Sequence, residues 1–142
     1  MFMNAKRNYF NFKKLILLVS TLAFLIIYSC KKEAGEGGTS TITGKIFCKD
    51  YNGTFTVLEE EYYIADYEVY LIYGSDISYS KRVRTCYNGI YEFKYLRPGK
   101  YRVYAFSKDS TLQTQNPLAI IKDIEIKKNR QTVEVPLITI FK

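Results

Sequence analysis

The residues of this sequence with the greatest capacity for chemistry are a run of three glutamates and three cysteines. Glu59, Glu60 and Glu61 could supply paired carboxylates for acid–base catalysis, but three adjacent acids are more typical of a solvated loop. The sequence contains no histidine, which removes the usual general base, the serine and cysteine triads and the commonest zinc ligand. We therefore predict no catalytic residue, no metal site and no cofactor, and we expect a protein that is not an enzyme.

The first of the cysteines, Cys30, follows a segment with the three parts of a secretory signal. A cationic region without acids comes first, an uncharged run over residues 15–28 follows, and the small Ser29 precedes the cysteine. As a helix this run would reach about 21 Å, which is short of the roughly 30 Å hydrocarbon core of a bilayer. The pattern therefore predicts a cleaved signal helix over residues 1–29 instead of a permanent membrane span.

Residues 27–30, IYSC, resemble the bacterial lipobox. The resemblance implies that the thiol of Cys30 is linked to diacylglycerol, that the signal is cut before it, and that the new amino group is acylated. Two or three chains attach a protein firmly to a membrane, because each buried methylene contributes about 0.8 kcal/mol. Lys31 is not the aspartate that commonly retains lipoproteins at the inner membrane. The resemblance therefore favours the outer membrane of a Gram-negative cell, on its periplasmic or its surface face.

The segment after Cys30 has the composition of a tether. Residues 31–40, KKEAGEGGTS, contain three glycines and no large apolar side chain. A flexible chain of about ten residues has a root-mean-square reach of roughly 16 to 19 Å. We therefore predict a signal peptide over residues 1–29, a lipidated cysteine with its tether over residues 30–40, and one folded domain over residues 41–142.

The net charge does not favour a nucleic-acid partner. The formal charge is +7, but four of the 21 basic residues lie in the predicted signal, so 17 basic and 14 acidic residues remain after cleavage, a charge of +3. A balance this small, spread along the chain, is not the electrostatic footprint of a protein that binds a polyanion.

The domain is predicted to be all-β, because apolar and polar positions alternate from residue 41 onward and no helical periodicity exceeds two turns. Seven strands are expected, at residues 41–49, 66–73, 79–87, 90–96, 101–107, 119–127 and 131–141. Pro136 cannot donate a ladder hydrogen bond and implies a bulge or an edge position in the last strand. Residues 51–65 are interpreted as a loop, and a short further strand within them is the alternative. Seven strands suit a two-sheet sandwich.

Two turns are well defined by their residues. Asn88–Gly89 is typical of a two-residue hairpin, and Pro98–Gly99 combines a fixed φ with a residue that accepts positive φ. We therefore predict hairpins at both turns and a meander of the strands that they join. Its buried face is expected to consist of Tyr91, Phe93, Tyr101, Val103 and Ala105, with Glu92, Lys94 and Arg102 facing out.

The run over residues 85–105, TCYNGIYEFKYLRPGKYRVYA, resembles the signature T-D-x-x-G-x-Y-x-F-x-x-L-x-P-G-x-Y-x-V of carboxypeptidase-regulatory-like domains. These domains have a transthyretin-like β-sandwich, similar to collagen-adhesin B-type repeats. Gly44 and Ile46 match the first strand of the family, and Val69 and Leu71 match its second. Cys86 replaces the aspartate that often caps the turn. The resemblance implies the fold and an accessory role, but no catalytic activity.

The two cysteines of the domain allow two interpretations. Cys48 shares its strand face with apolar Ile46, whereas Cys86 shares its face with Arg84. An oxidising compartment would permit a disulfide between Cys48 and Cys86. The sequence leaves open both that bridge and independent packing of the two thiols.

Four aromatic residues lie opposite the core parity of their strands, namely Phe47, Tyr70, Tyr104 and Phe106. Outward-facing aromatic rings can stack on sugars or bind a protein partner, although rim and loop contacts would also explain them. We expect a structural or interaction module with an envelope protein as its partner. The alternative is a surface lipoprotein that binds a glycan or nutrient through the same residues.

Overall fold

The computed structural model describes residues 33–142, which form one compact unit. The predicted signal and Cys30 lie outside the described residues. The described part consists of strands, turns and bends, so the all-β prediction is confirmed. Within it, no helix is long and apolar enough to cross a membrane.

Residues 33–142 contain nine strands. They are β1 (Glu36–Tyr51), β2 (Leu58–Tyr63), β3 (Glu68–Tyr73), β4 (Lys81–Arg84), β5 (Ile90–Leu96), β6 (Gly99–Ser107), β7 (Leu118–Ile126), β8 (Thr132–Glu134) and β9 (Ile138–Phe141). The predicted count of seven is wrong for two reasons. The segment interpreted mainly as a loop forms β2, and the last predicted strand is divided into β8 and β9, with Pro136 in the interval. A residue without an N–H group interrupts the ladder there.

The strands form two sheets. In the first, β1 pairs antiparallel with β2 and β5 and parallel with β8 and β9. The second is antiparallel throughout, in the order β4-β3-β6-β7. Strand β1 therefore organises one sheet along its whole length, while β3 and β6 form the centre of the other.

One hydrophobic core lies between the sheets, and both contribute to it. The predicted inward face is confirmed, because Tyr91, Phe93, Tyr101, Val103 and Ala105 are each 2% exposed or less. Glu92 and Lys94 are exposed, as predicted, and Arg102 is partly exposed. The alternation of side chains along β5 and β6 accounts for this division.

The predicted hairpins are wrong: the turn before Gly89 forms, whereas Pro98 lies in a bend and Gly99 is already the first residue of β6. At the first turn, Gly89 N–H donates to Cys86 O at 2.9 Å and Cys86 N–H donates to Ile90 O at 2.7 Å. The flanking strands β4 and β5 nevertheless belong to different sheets, and so do β5 and β6 around Pro98. Each of these two connections thus carries the chain from one sheet to the other. The apolar faces of β5 and β6 therefore oppose each other across the core instead of lying side by side.

The predicted tether boundary at Ser40 is also wrong, since β1 begins at Glu36. Gly38 lies against the backbone of β5, where an added Cβ would be 1.9 Å from Leu96 O. Only a residue without a side chain permits this approach. The small residues that suggested a flexible linker therefore allow the chain to dock closely on the sheet.

Candidate functional site

An aromatic patch lies on the outer face of the four-stranded sheet. It consists of Tyr70 on β3, Tyr104 and Phe106 on β6, and Tyr79 in the loop between β3 and β4. Tyr70 and Tyr104 are directly opposite in the β3–β6 ladder. Because alternate residues of a strand point to opposite faces, burial of Leu71 and Val103 in the core places Tyr70 and Tyr104 on the outer side.

The rings of the patch contact one another. The centroids of Tyr70 and Tyr104 are 4.9 Å apart and their planes differ by 12°, a stacked arrangement. Tyr79 meets Tyr70 edge to face at 5.1 Å, and Phe106 meets Tyr70 at 5.6 Å and Tyr104 at 5.5 Å. Such arrangements stabilise aromatic pairs beyond the area that they bury. The four rings therefore form one cluster.

The patch is open to solvent and continues onto β7. Tyr79 is 50% exposed and Phe106 is 38% exposed, while Tyr70 and Tyr104 are partly exposed. Ile121 lies opposite Tyr104 in the β6–β7 ladder and is 49% exposed. A row of apolar side chains thus runs across three adjacent strands to the edge of the sheet.

The edge itself is unpaired within residues 33–142. Strand β7 is the last in the order β4-β3-β6-β7, and β6 is its one partner among the described strands. Alternate N–H and C=O groups of its backbone therefore point away from the sheet without a strand to receive them. An edge of nine residues without proline is a template for pairing with another chain.

Charged residues border the patch on the side of β4. Arg84 donates to Asp66 Oδ2 at 2.9 Å and to Glu68 Oε1 at 3.2 Å, and Arg82 donates to Glu68 Oε1 at 3.0 Å. Tyr70 donates its hydroxyl proton to Glu68. This hydrogen bond and the two guanidinium groups lower the pKa of Glu68. The same hydrogen bond, followed by burial, raises the pKa of Tyr70. The charged border therefore fixes the orientation of the Tyr70 ring.

Phe47 does not belong to this site, so the prediction of one surface with four aromatic residues is wrong in part. Phe47 lies on β1 in the other sheet and packs edge to face on Tyr63 with centroids 5.3 Å apart. The alternation of side chains along the strand predicts that Phe47 faces outward, but it does not predict the sheet to which Phe47 belongs. Tyr79 and Ile121 complete the site instead, and neither was identified from the sequence. The available sequence signal was that Ile121 lies on the same outward face of its strand as Ala119.

The two cysteines are free and are not joined by a disulfide. Cys48 is fully buried in the core, and burial raises the pKa of its thiol. Cys86 is exposed near the turn between β4 and β5. The sequence left two interpretations open. In the structure the thiols of Cys48 and Cys86 pack independently.

No group of three or more His, Cys, Asp or Glu residues within residues 33–142 could hold a metal ion. A shallow pocket of about 370 Å³ lies near Gly74 and Lys100, where Arg102, Asp123 and Glu125 also line it. It lies toward the end of the sandwich where β6 begins. Its mixed charges do not select one ligand.

No protein-family model matches this chain, and no curated protein matches it.

Proposed function

We propose that this chain is a lipid-anchored protein of the bacterial cell envelope, without catalytic activity, whose domain binds another envelope protein. The observation that carries the proposal is the aromatic patch beside the open edge of β7. An exposed cluster of aromatic side chains is a frequent centre of protein interfaces. An unpaired edge offers backbone hydrogen bonds to the same partner.

The mode of binding follows from the register of the sheet. A partner segment that pairs with β7 would extend the row formed by Tyr70, Tyr104 and Ile121 with its own outward side chains. Backbone hydrogen bonds supply affinity in strand addition, and side-chain contacts supply specificity. We therefore infer a partner segment that is extended and has an apolar residue next to Ile121.

The stacking of Tyr70 on Tyr104 favours a protein partner over a glycan. A sugar ring needs a free aromatic face, and these two rings cover one face of each other. Tyr79 and Phe106 make further edge-to-face contacts with the pair. The absence of tryptophan from the sequence also removes the side chain with the largest stacking surface.

The lipid attachment is supported by the cationic region, the uncharged run and the residues IYSC over 27–30. The proposed location is the outer membrane, since Lys31 follows the cysteine. The proposed class of the sandwich is transthyretin-like, of the carboxypeptidase-regulatory-like kind. It is supported by the match over residues 85–105 and by the burial of the matched Tyr91, Phe93, Tyr101 and Val103.

Metabolic labelling tests the lipid attachment. Cells that express the full-length chain and are fed labelled palmitate should label it, and Cys30→Ala should abolish the label and leave unprocessed precursor. Cys86→Ala is the matched control, because Cys86 is an exposed cysteine of the folded domain that lies outside the residues IYSC, and it should keep the label. Equal labelling of wild type and Cys30→Ala would refute the attachment.

Binding by the patch is tested with Ile121→Lys, which places a charge in the apolar row and at the sheet edge. The matched control is Leu137→Lys, because Leu137 is 48% exposed and Ile121 is 49% exposed. Ile121→Lys should abolish co-purification of an envelope protein with the full-length chain, whereas Leu137→Lys should not. A glycan array provides the opposing outcome: a sugar bound by wild type and lost in Ile121→Lys would replace the protein partner by a glycan.

A further inference from the structure

The chain enters the sandwich through a buried set of hydrogen bonds at Tyr101. Gly35 N–H donates to the Tyr101 hydroxyl at 2.9 Å, and that hydroxyl donates to Arg97 O at 2.6 Å. Arg97 N–H in turn donates to Gly35 O at 2.9 Å. Residues from Gly35 onward are therefore part of the folded domain.

This attachment leaves a short connection to the predicted lipid. Residues 31–34 alone separate Cys30 from Gly35, and five consecutive Cα–Cα steps span at most about 18 Å. If Cys30 carries the lipid, as proposed above, the part of the domain around Gly35 is held next to the membrane. The proposed lipid attachment thus restricts which end of the sandwich can face the bilayer.

Four segments meet at that end, which we call the anchor end: residues 33–39, 74–80, 97–100 and 127–131. Gly74 N–H donates to Lys100 O at 2.9 Å, which joins the second and third segments. Arg130 N–H donates to Thr39 Oγ1 at 3.1 Å, which joins the first and the fourth. Gly99 lies opposite Ile126 in the β6–β7 ladder, so the start of β6 and the end of β7 lie next to each other.

Basic residues outnumber acidic ones in these four segments, although Glu125 on β7 lies opposite Lys100. Its basic residues are Arg97, Lys100, Lys127, Lys128 and Arg130, and its acidic residues are Glu33, Glu36 and Asp76. Glu36 is already paired with Lys81 at 2.6 Å. Lys127, Lys128 and Arg130 are exposed and form no ion pair within residues 33–142.

Three adjacent acidic residues lie at the other end of β1, where Glu61 is paired with Lys49 at 2.9 Å. Glu59, Glu60 and Glu61 are exposed on β2, which pairs with the far half of β1, where Tyr51 lies opposite Leu58. The domain is therefore polarised along β1, with its basic end next to the anchor. This polarity is complementary to a membrane surface that carries anionic headgroups.

The loop between β3 and β4, which reaches this end beside Ala34 and Lys100, carries an exposed apolar side chain. Ile77 is completely exposed in the loop between β3 and β4. An exposed apolar residue among basic ones is the composition that enters the boundary between headgroups and acyl chains. We propose that the anchor end is a membrane-contact surface that binds anionic phospholipid headgroups through Lys127, Lys128 and Arg130 and inserts Ile77.

The absence of tryptophan from the sequence makes the insertion directly measurable. Full-length lipidated protein with Ile77→Trp is reconstituted into vesicles of phosphatidylglycerol and phosphatidylcholine brominated on its acyl chains. Val57→Trp is the matched control, because Val57 is 57% exposed in the loop at the far end of β1. We expect about threefold or greater quenching of the tryptophan fluorescence of the Ile77→Trp protein and little quenching in the control. Equal quenching of both variants, or none in either, would overturn the proposal.

Charge reversal tests the headgroup contact separately. Lys127→Glu with Lys128→Glu should reduce the quenching of the Ile77→Trp protein, while Lys108→Glu with Lys142→Glu, away from the anchor end, should not. Equal effects of the two pairs would contradict binding by the anchor end. Palmitate labelling of the same samples distinguishes the failures: unlabelled protein refutes the lipid attachment, whereas labelled protein without quenching refutes the membrane contact alone.

Discussion

The ring of Tyr104 stacks on the ring of Tyr70 with centroids 4.9 Å apart, although the two residues belong to strands separated by two other strands in the sequence. The contact exists because β3 and β6 are neighbours in the sheet and the two tyrosines are opposite in register. This contact forms the centre of the aromatic patch. The geometry of the patch therefore depends on the pairing of β3 with β6.

The stacking should be measurable as a coupling energy. Tyr70→Ala and Tyr104→Ala should each lower the free energy of unfolding, and the double variant should lose less than the sum by about 0.5–1.5 kcal/mol. Urea denaturation of the four proteins in detergent gives the cycle. Additive losses would mean that the rings do not interact.

The stability of the domain depends on the buried ring of Phe93. Phe93→Ala should reduce the free energy of unfolding by about 3–5 kcal/mol, because the ring is fully buried and its removal leaves a cavity. Tyr87→Ala is the control, since Tyr87 is 90% exposed and should change stability by less than about 0.5 kcal/mol. Equal urea midpoints for wild type and Phe93→Ala would show that the register of β5 is incorrect.

The burial pattern of β5 and β6 could be predicted from the sequence because it depends on local alternation. Tyr91 and Phe93 differ from Glu92 in their preference for water, and that contrast is enough to assign the inward face. The pairing of these strands could not be predicted in the same way. The chemistry of Pro98 and Gly99 indicates a sharp change of chain direction, and such a change can connect two strands of one sheet or carry the chain between sheets.

The candidate site was predictable to a similar extent. Parity identified Tyr70 and Tyr104 as outward-facing, and the ladder brings them together. Parity also identified Phe47, but its position in the other sheet depends on the long-range pairing of β1. Tyr79 joins the patch through the path of a loop, which no periodicity describes. The docked N-terminal segment was missed because glycine serves both flexible linkers and close backbone contacts.

Gly99 should be needed to hold the N-terminal segment. A Cβ at Gly99 would lie 2.7 Å from Ala34 Cβ and 2.9 Å from Ala34 Cα, and φ there is +154°. Gly99→Val should therefore cost about 1–3 kcal/mol and accelerate hydrogen exchange at the Gly35 amide. Gly53→Val is the control, because nothing lies within 4 Å of a Cβ at Gly53. Unchanged protection of Gly35 in Gly99→Val would contradict the docking.

Stability should fall at alkaline pH. Burial raises the pKa of Tyr73 to about 12, and it also raises the pKa of Tyr91 above the usual range. Phenols of the unfolded chain ionise near pH 10. The contribution of these protons to stability is therefore complete below about pH 10 and is lost as the pH rises toward the folded-state pKa values.

Melting temperatures between pH 8 and 12 test this dependence. Tyr73→Phe should lose less stability over that range than wild type, whereas Tyr87→Phe, at an exposed position, should behave as wild type. A wild-type melting temperature that stays constant to pH 12 would contradict the raised pKa values.

Photocrosslinking from Ile121 in living cells tests most directly whether the aromatic patch and the β7 edge bind an envelope protein. Photoreactive benzoylphenylalanine replaces Ile121 in one strain and Leu137 in another, because these side chains are exposed to nearly the same extent, 49% and 48%. We predict a discrete crosslinked envelope protein from position 121 and none from position 137. The same crosslinks from both positions, or none from position 121, would contradict the account.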